Sequence, residues 1–164
     1  MTTKESGVKL KVLAACMAVV SMLTVTGAIS AQADDEVRTD AAAMVAETVR
    51  MQQRLIDLYN DRKFEEMGFF WAEDAIALPP NHEPIRGRAA IVEYFRGARD
   101  VLGEGEVSDA PLASSVSGNL VSVMPAYTGH NGQLRVVAHE TFERQPDGSL
   151  LCIQDQFGFR DPLR

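Results

Sequence analysis

The sequence predicts an α+β protein in which three helices come before an antiparallel sheet. Apolar residues recur at helical spacing over residues 41–60, 63–71 and 89–101. After Gly103 the pattern changes to extended segments separated by turn residues, which is typical of strands. With 164 residues, the chain has room for one domain of this kind.

The first two helices are predicted from apolar stripes. Helix one covers Ala41 to Asn60, with Thr39-Asp40 as its cap, and helix two covers Lys63 to Trp71. The stripe of helix one is formed by Val45, Val49, Gln52, Leu55, Ile56 and Tyr59.

A short strand and a return segment follow. Ala75 to Leu78 is predicted to be a strand that Pro79-Pro80 must end, because proline cannot donate to the ladder. Asn81-His82 makes the turn and residues 83–86 return. The third helix covers Ala89 to Val101.

The rest of the chain is predicted to form an antiparallel meander. Gly118-Asn119, Gly129 to Gly132 and Pro146 to Ser149 supply its turns. Its four strands are Glu106 to Ser117, Leu120 to Thr128, Gln133 to Gln145 and Leu150 to Arg160. A curved sheet of this length can wrap the helices and enclose a pocket.

The first 33 residues are predicted to be a cleaved secretory signal. A basic start is followed by the apolar run from Val12 to Ile29, and then by the small-residue site Ala31-Gln32-Ala33. Residues 34–39 form a short linker and residues 40–164 the domain. The protein is therefore expected to be exported, to the periplasm or outside the cell, with no stable membrane span after cleavage.

Two alternatives compete with a cleaved signal. The apolar run is near the length of about 20 residues that spans a bilayer, so it could remain as an anchor. Leu13-Ala14-Ala15-Cys16 also spells a lipoprotein-type box, but no apolar core precedes its cysteine. Cleavage removes Cys16, and Cys152 alone cannot form an internal disulfide.

The domain is strongly acidic. After residue 33 it carries 13 Lys and Arg against 22 Asp and Glu, a formal charge of −9. A surface of this charge argues against nucleic acid and against anionic membranes as partners.

Five segments share residue patterns with one protein family: Leu58-Tyr59-Asn60, Phe64 to Met67, Trp71 to Ala75, Leu78 to Ile91 and Phe142 to Phe157. They resemble the SnoaL-like, ketosteroid-isomerase-like domains of the nuclear transport factor 2-like superfamily. The resemblance covers nearly all of residues 40–162. It implies a cone-shaped curved antiparallel sheet wrapped around three helices (the cystatin-like arrangement), a pocket inside, and homodimers across the outer sheet face. It does not imply one activity, because this fold carries enzymes of several kinds and non-enzymes.

A pair of carboxylates is predicted inside the pocket. Leu151, Ile153, Asp155, Phe157 and Phe159 share one face of the last strand, which should point inward. An even-length turn before that strand places Phe142 opposite Ile153, Glu140 opposite Asp155, Ala138 opposite Phe157 and Val136 opposite Phe159. When two carboxyl groups are buried this close together, burial and mutual repulsion raise the pKa of at least one of them. The result is a neutral acid beside a charged base, which suits acid–base catalysis.

Two alternatives to a catalytic pair remain open. An arginine, such as Arg135, Arg144 or one on a helix, could neutralise the carboxylates in a structural network. An odd-length turn or a bulge would separate them.

The resemblance places Glu140 where ketosteroid isomerases carry the acid of their oxyanion hole. Leu55 and Pro79 stand where those enzymes carry a tyrosine and an aspartate base. Neither residue can replace them, so steroid isomerisation by that mechanism is not expected.

The remaining candidates line the pocket rather than react. They are Tyr59, Trp71, Tyr94, Tyr127, Phe142 and Phe157. The three histidines lack metal-ligand spacing, and no cofactor motif occurs, so neither a metal nor a cofactor is predicted. The sequence supports two hypotheses: a pocket protein that uses Asp155 and Glu140 as an isomerase, lyase or hydrolase on a small apolar or amphipathic ligand, or a non-catalytic ligand-binding or dimeric scaffold module.

Overall fold

The computed structural model describes residues 38–129 and 132–160. Contacts divide the chain into residues 1–40 and residues 41–164, and the second unit contains the folded core. The predicted signal, residues 1–33, lies outside the described residues. No described helix is both long enough and apolar enough to cross a membrane.

The described residues contain three α-helices, with bounds that differ from the sequence prediction. Helix α1 covers residues 38–60, so Thr39-Asp40 lies inside it and does not cap it. Helix α2 is only Phe64–Met67, followed by a 3₁₀ turn at Gly68–Phe70. Helix α3 covers Arg88–Leu102 and ends at Gly103, whose φ of 70° few other residues tolerate.

Trp71 belongs to a strand, not to the second helix. It starts β1, which is therefore four residues longer at its start than predicted. The eight strands of the described ranges are β1 Trp71–Leu78, β2 Ile85–Arg86, β3 Glu106–Val107, β4 Ser114–Ser117, β5 Leu120–Val123, β6 Ala126–Gly129, β7 Leu134–Arg144 and β8 Leu150–Arg160. Two predicted long strands are each divided in two, the second of them at Met124-Pro125, because proline interrupts the ladder.

The strands form one sheet in the order β2-β1-β8-β7-β5-β4, with β6 also paired to β7 and β3 to β6. The α+β class is confirmed, but the sheet is not wholly antiparallel: β1 runs parallel to β8. Helices and sheet share one hydrophobic core, to which α1, α2, α3 and the inner sheet face all contribute.

The register between β7 and β8 is confirmed over most of its length. Glu140 faces Asp155, Ala138 faces Phe157 and Val136 faces Phe159. The prediction that Phe142 faces Ile153 is wrong, because Phe142 faces Cys152. The predicted even-length turn is also wrong, because five residues, 145–149, separate β7 from β8. The pairing shifts by one residue between Thr141 and Phe142, where Ile153 is an extra residue in β8, and this bulge restores the predicted register around Glu140 and Asp155.

This bulge reverses the faces of β8 before residue 154. Leu150 and Cys152, predicted to lie on the outer face, are 3% and 0% exposed and belong to the core. Leu151 and Ile153 are only half-buried. The bulge thus keeps apolar residues in the core at the start of the strand and still presents Asp155 inward further along.

Candidate functional site

Two carboxyl groups lie side by side in a row that crosses four strands. Val123 on β5 pairs with Glu140 on β7, Glu140 with Asp155 on β8, and Asp155 with Ala77 on β1. Val123 and Ala77 are fully buried, and Glu140 and Asp155 are 1% and 4% exposed. Directly opposed residues of an antiparallel pair have Cβ atoms roughly 4.5–5.5 Å apart. The two acids therefore share one small, dry region of the inner sheet face.

Glu140 accepts a hydrogen bond at each of its oxygens. Gln52 Nε2 donates to Oε2 over 2.8 Å, and the Tyr127 hydroxyl donates to Oε1 over 2.5 Å. Burial raises the pKa of Glu140 to about 7, while these two donors act in the opposite direction. Burial also raises the pKa of Tyr127 well above 10, so Tyr127 stays a donor.

Asp155 lacks comparable donors. Burial raises its pKa well above the ordinary value, and repulsion from Glu140 adds to this. The indole N–H of Trp71 acts to lower the pKa of Asp155, yet Trp71 Nε1 makes no hydrogen bond of good geometry, so this contact is a weak one. Asp155 is thus the group that stays protonated, and Glu140 is the group that ionises first.

No arginine neutralises this pair within the part of the chain that the structure describes. Arg144 pairs with Glu47 over 2.8 Å, and Arg99 donates to the Tyr59 carbonyl over 3.3 Å. No basic residue is among the groups that shift the pKa of either carboxyl. The described contacts therefore do not support a structural ion-pair network at this site.

Gln52 is the site residue that sequence reasoning missed. Its spacing assigns it to the stripe of α1, although it is the polar member of an apolar stripe. It is 1% exposed and binds Glu140 across 88 positions of sequence. An amide in a buried stripe needs a polar partner, and that signal could have identified it.

A cavity of about 100 Å³ lies against the carboxyl pair. Four predicted lining residues, Tyr59, Trp71, Tyr127 and Phe157, do lie in its wall, together with Glu140 and Asp155. The wall also contains Leu55, Ile56, Met67, Phe95, Leu102, Gly103, Glu104, Gly105, Thr128, Gly129, Leu134, Val136, Ala138 and Phe159. The volume suits a ligand of about one small ring, since an apolar cavity of about 150 Å³ holds benzene.

The other two predicted lining residues lie outside this wall. Phe142 is fully buried and packs edge-on against Phe70 at 5.2 Å, on the stretch of β7 beyond the bulge. Tyr94 lies behind Phe157, at 6.1 Å between ring centroids, and contacts His82 on its other side. Both are packing residues of the core and its edge.

Two polar groups in the wall have no hydrogen-bond partner among the described residues. They are the Tyr59 hydroxyl and Trp71 Nε1, both on residues less than a tenth exposed. Burying such a group without a partner costs about 1–3 kcal/mol, which a ligand able to reach it could recover.

The mouth of the cavity is held to the end of α1. The side-chain amide of Asn60 both donates to and accepts from the backbone of Gly105, each over 2.8 Å. Arg99, itself buried, reaches Glu104 over 3.4 Å. These contacts hold residues 103–105 in the cavity wall, and the exposure of Glu104 (76%) and Phe159 (45%) places the mouth at this end.

The described residues contain no group of three or more His, Cys, Asp or Glu that could hold a metal ion. His82 lies in an exposed turn against Tyr94, and His139 is exposed on the face of β7 opposite Glu140. His130 lies outside the described residues.

The family model of the SnoaL-like domain matches residues 52–151. No curated protein matches the sequence. Among solved structures, a protein of unknown function from Mycobacterium tuberculosis has a TM-score of 0.62 at 18% identity, covering 76% of this chain and 75% of its own.

Two further structures have similar folds. A ketosteroid isomerase-like protein from Erwinia carotovora atroseptica has a TM-score of 0.57 at 12% identity, covering 73% of this chain and 96% of its own. A nuclear transport factor 2-like protein with a cystatin-like fold from Novosphingobium aromaticivorans has a TM-score of 0.55 at 18% identity, covering 77% and 91%. At these identities the likeness concerns the fold.

Proposed function

Because the chain belongs to the SnoaL-like domain family, we propose that its cavity binds a small molecule and that Asp155 and Glu140 transfer protons to and from it. The observation that carries this proposal is the unequal pair. Two buried carboxyl groups face each other, but only Glu140 receives two hydrogen bonds.

The inequality assigns the roles of the two groups. Hydrogen bonds to its oxygens favour the carboxylate form of Glu140, which makes it the base. Asp155, buried and repelled by Glu140, keeps its proton and is the acid. With a pKa of about 7, Glu140 is close to the value at which a base works best near neutral pH.

The proton transfers balance without a cofactor. Glu140 removes a proton from one atom of the substrate while Asp155 delivers its proton to another, so the net charge of the substrate is unchanged. After this step Glu140 is protonated and Asp155 is ionised. Transfer of the proton from Glu140 to Asp155 then restores the starting state of the enzyme. This scheme fits an isomerase directly. It fits a lyase if the atom that Asp155 protonates leaves as a neutral group, and a hydrolase if Glu140 takes its proton from an attacking water molecule.

The cavity limits the substrate. A volume of about 100 Å³ encloses about one small ring of a ligand, less than a four-ring steroid needs for full burial, and Leu55 in the wall supplies no hydroxyl. We therefore favour a small, mainly apolar or amphipathic substrate over a steroid.

The experiment uses the protein's own ligand. Protein purified under native conditions is extracted, and the ligand is identified by mass spectrometry and returned to wild type and to Asp155→Asn. We expect wild type to convert it, and the variant to bind it while losing turnover by roughly 10²- to 10⁴-fold. An Asp155→Asn variant with undiminished turnover would overturn the proposal.

A non-catalytic ligand-binding function is the second candidate. It is favoured by the two hydrogen bonds to Glu140, which already engage both carboxylate oxygens. If wild type leaves its own ligand chemically unchanged, this candidate is the better one.

Export remains part of the proposal. The order of basic, apolar and small residues over 1–33 supports a cleaved signal. Protein recovered from outside the cytoplasm should begin at or near Asp34 by N-terminal sequencing. A mature chain that begins with a lipid-modified Cys16 would contradict this.

Homodimerisation is also proposed, on the strength of the family resemblance. The outer sheet face differs from the predicted one, because Leu150 and Cys152 are in the core. That face is instead formed around Gln154, Gln156 and His139. Light scattering at micromolar concentration should give about twice the monomer mass, and a monomer at every concentration would refute the proposal.

A further inference from the structure

The inner end of the cavity carries acidic groups without a balancing cation. Nothing basic in the described residues touches Glu140 or Asp155, since Arg144 is engaged by Glu47 and Arg99 by Glu104 and the Tyr59 carbonyl. A buried carboxylate that lacks a cation is costly, and a bound cation would remove most of that cost.

The walls beside these acids are aromatic. Trp71 stacks on Phe95 with ring centroids 5.3 Å apart and planes 17° apart, and Phe95 lies 5.7 Å from Phe157. Tyr127 also lines the wall, as does Tyr59, whose ring already has the Arg99 guanidinium 5.5 Å from its centroid. Aromatic faces attract cations, and most strongly where water is excluded.

A second polar observation, independent of the acids, points to a ligand in the same cavity. The Tyr59 hydroxyl is buried without a partner among the described residues, and it can accept a hydrogen bond as well as donate one. An ammonium group has only donors, so it can satisfy an unpartnered hydroxyl of this kind as well as a carboxylate.

We propose that the ligand of this cavity is a small organic cation, an amine that is protonated at neutral pH and carries one compact apolar group. The inference rests on the proposed function, because it places the ligand in that same cavity. The ammonium group lies against Glu140 and the apolar group fills the aromatic part of the cavity. A carboxylate or phosphate ligand is excluded by repulsion from Glu140.

The charge of the chain favours the same class of ligand. The formal net charge is −7, and an acidic protein raises the local concentration of small cations. This long-range effect does not by itself distinguish the cavity from the surface, so the test must separate the two.

The test compares three probes of similar size: cyclopentylamine, cyclopentanol and cyclopentanecarboxylate. NMR titrations at pH 8, above the Glu140 pKa of about 7, give each Kd and show whether cavity residues shift. We expect the amine to bind about 10-fold or more tighter than the alcohol, because hydrogen bonds to charged groups are stronger. The carboxylate should bind more weakly than the alcohol.

Two variants, each of which removes one negative charge, distinguish amine binding in the cavity from amine binding at the surface. Glu140→Gln acts inside the cavity and should bring amine and alcohol to within about 2-fold of each other. Glu83→Gln acts on an exposed side chain outside the cavity wall and should keep the preference for the amine.

Several results would overturn the inference. Equal affinity of wild type for the alcohol and the amine would overturn it without any variant. So would an amine that shifts no cavity residues at millimolar concentration. An equal loss of amine affinity in both variants would also overturn it. These outcomes concern binding only, so a protein that still converts its native ligand keeps the proton-transfer function. A protein that prefers the amine probe but leaves its native ligand chemically unchanged would reject that function instead.

Discussion

Replacing Glu140 with Gln should change how the stability of this protein depends on pH. The pKa of Glu140 is about 7 in the folded protein, against an ordinary value of 4.5. Between these values the folded protein binds more protons than the unfolded chain. The free energy of unfolding therefore falls as pH rises through this window and levels off above pH 7.

The size of the effect follows from the two pKa values. Each unit of pKa difference is worth about 1.4 kcal/mol, so ionising Glu140 in the folded state costs about 3 kcal/mol by pH 8. The glutamine in the Glu140→Gln variant has no proton to lose, and its amide can keep both contacts. Tyr127 can donate to the oxygen of that amide, and the Gln52 amide can turn over to accept from its nitrogen.

Urea denaturation of wild type and variant at pH 4 and pH 8 measures the difference. Relative to wild type, the variant should gain about 3 kcal/mol between the two pH values, or on the order of 10 °C in Tm. Any constant cost of repacking cancels in this comparison. Glu83→Gln, at an exposed side chain outside the cavity wall, is the matched control and should show little of this change.

A difference between wild type and Glu140→Gln that does not depend on pH would refute the reasoning. A variant that loses stability toward pH 8 would refute it more strongly. That outcome would mean that ionised Glu140 stabilises the fold through a cation.

Three further predictions concern neighbouring groups. Asp155→Asn should melt higher than wild type at pH 8, and by a smaller margin at pH 5. The reason is that the raised pKa of Asp155 destabilises the folded protein only at pH values where the unfolded chain has lost that proton. A variant that melts lower than wild type at pH 8 would show that Asp155 is a structural residue. Tyr127→Phe should lower the free energy of unfolding by about 2 kcal/mol at pH 8 and by less at pH 5, because a hydrogen-bond donor to charged Glu140 is lost. Urea denaturation measures this, and equal losses at both pH values would contradict it. Asn60→Ala removes two hydrogen bonds to Gly105 and should lower the free energy of unfolding by about 1–3 kcal/mol. Hydrogen exchange should show the Gly105 amide less protected than in wild type. Unchanged protection of that amide would contradict the role given to Asn60.

The sequence by itself was sufficient for the elements whose pattern is local. Helix α3 was predicted to within one residue at each end, and β8 was predicted with its observed bounds. The pairing of Glu140 with Asp155 was predicted correctly from the alignment of the apolar rows of β7 and β8, although the turn is odd-length and a bulge restores that register.

Other features of the fold depended on contacts that sequence periodicity does not record. Because Ile153 is an extra residue in β8, Leu150 and Cys152 point into the core. Strict alternation along the strand predicts that they lie on the outer face. The parallel pairing of β1 with β8 brings together segments about 80 positions apart, which accounts for Trp71 being extended rather than helical.

The character of the site was likewise decided by tertiary structure. From the sequence, the resemblance placed Glu140 at an acid position, the residues themselves did not rank the two carboxyl groups, and a neutralising arginine remained possible. Gln52 from α1 and Tyr127 from β6 meet Glu140 only in the folded chain, and they stabilise its charge but not that of Asp155. Local sequence can place two acids in one row, but only the groups packed over that row determine which of them carries the proton.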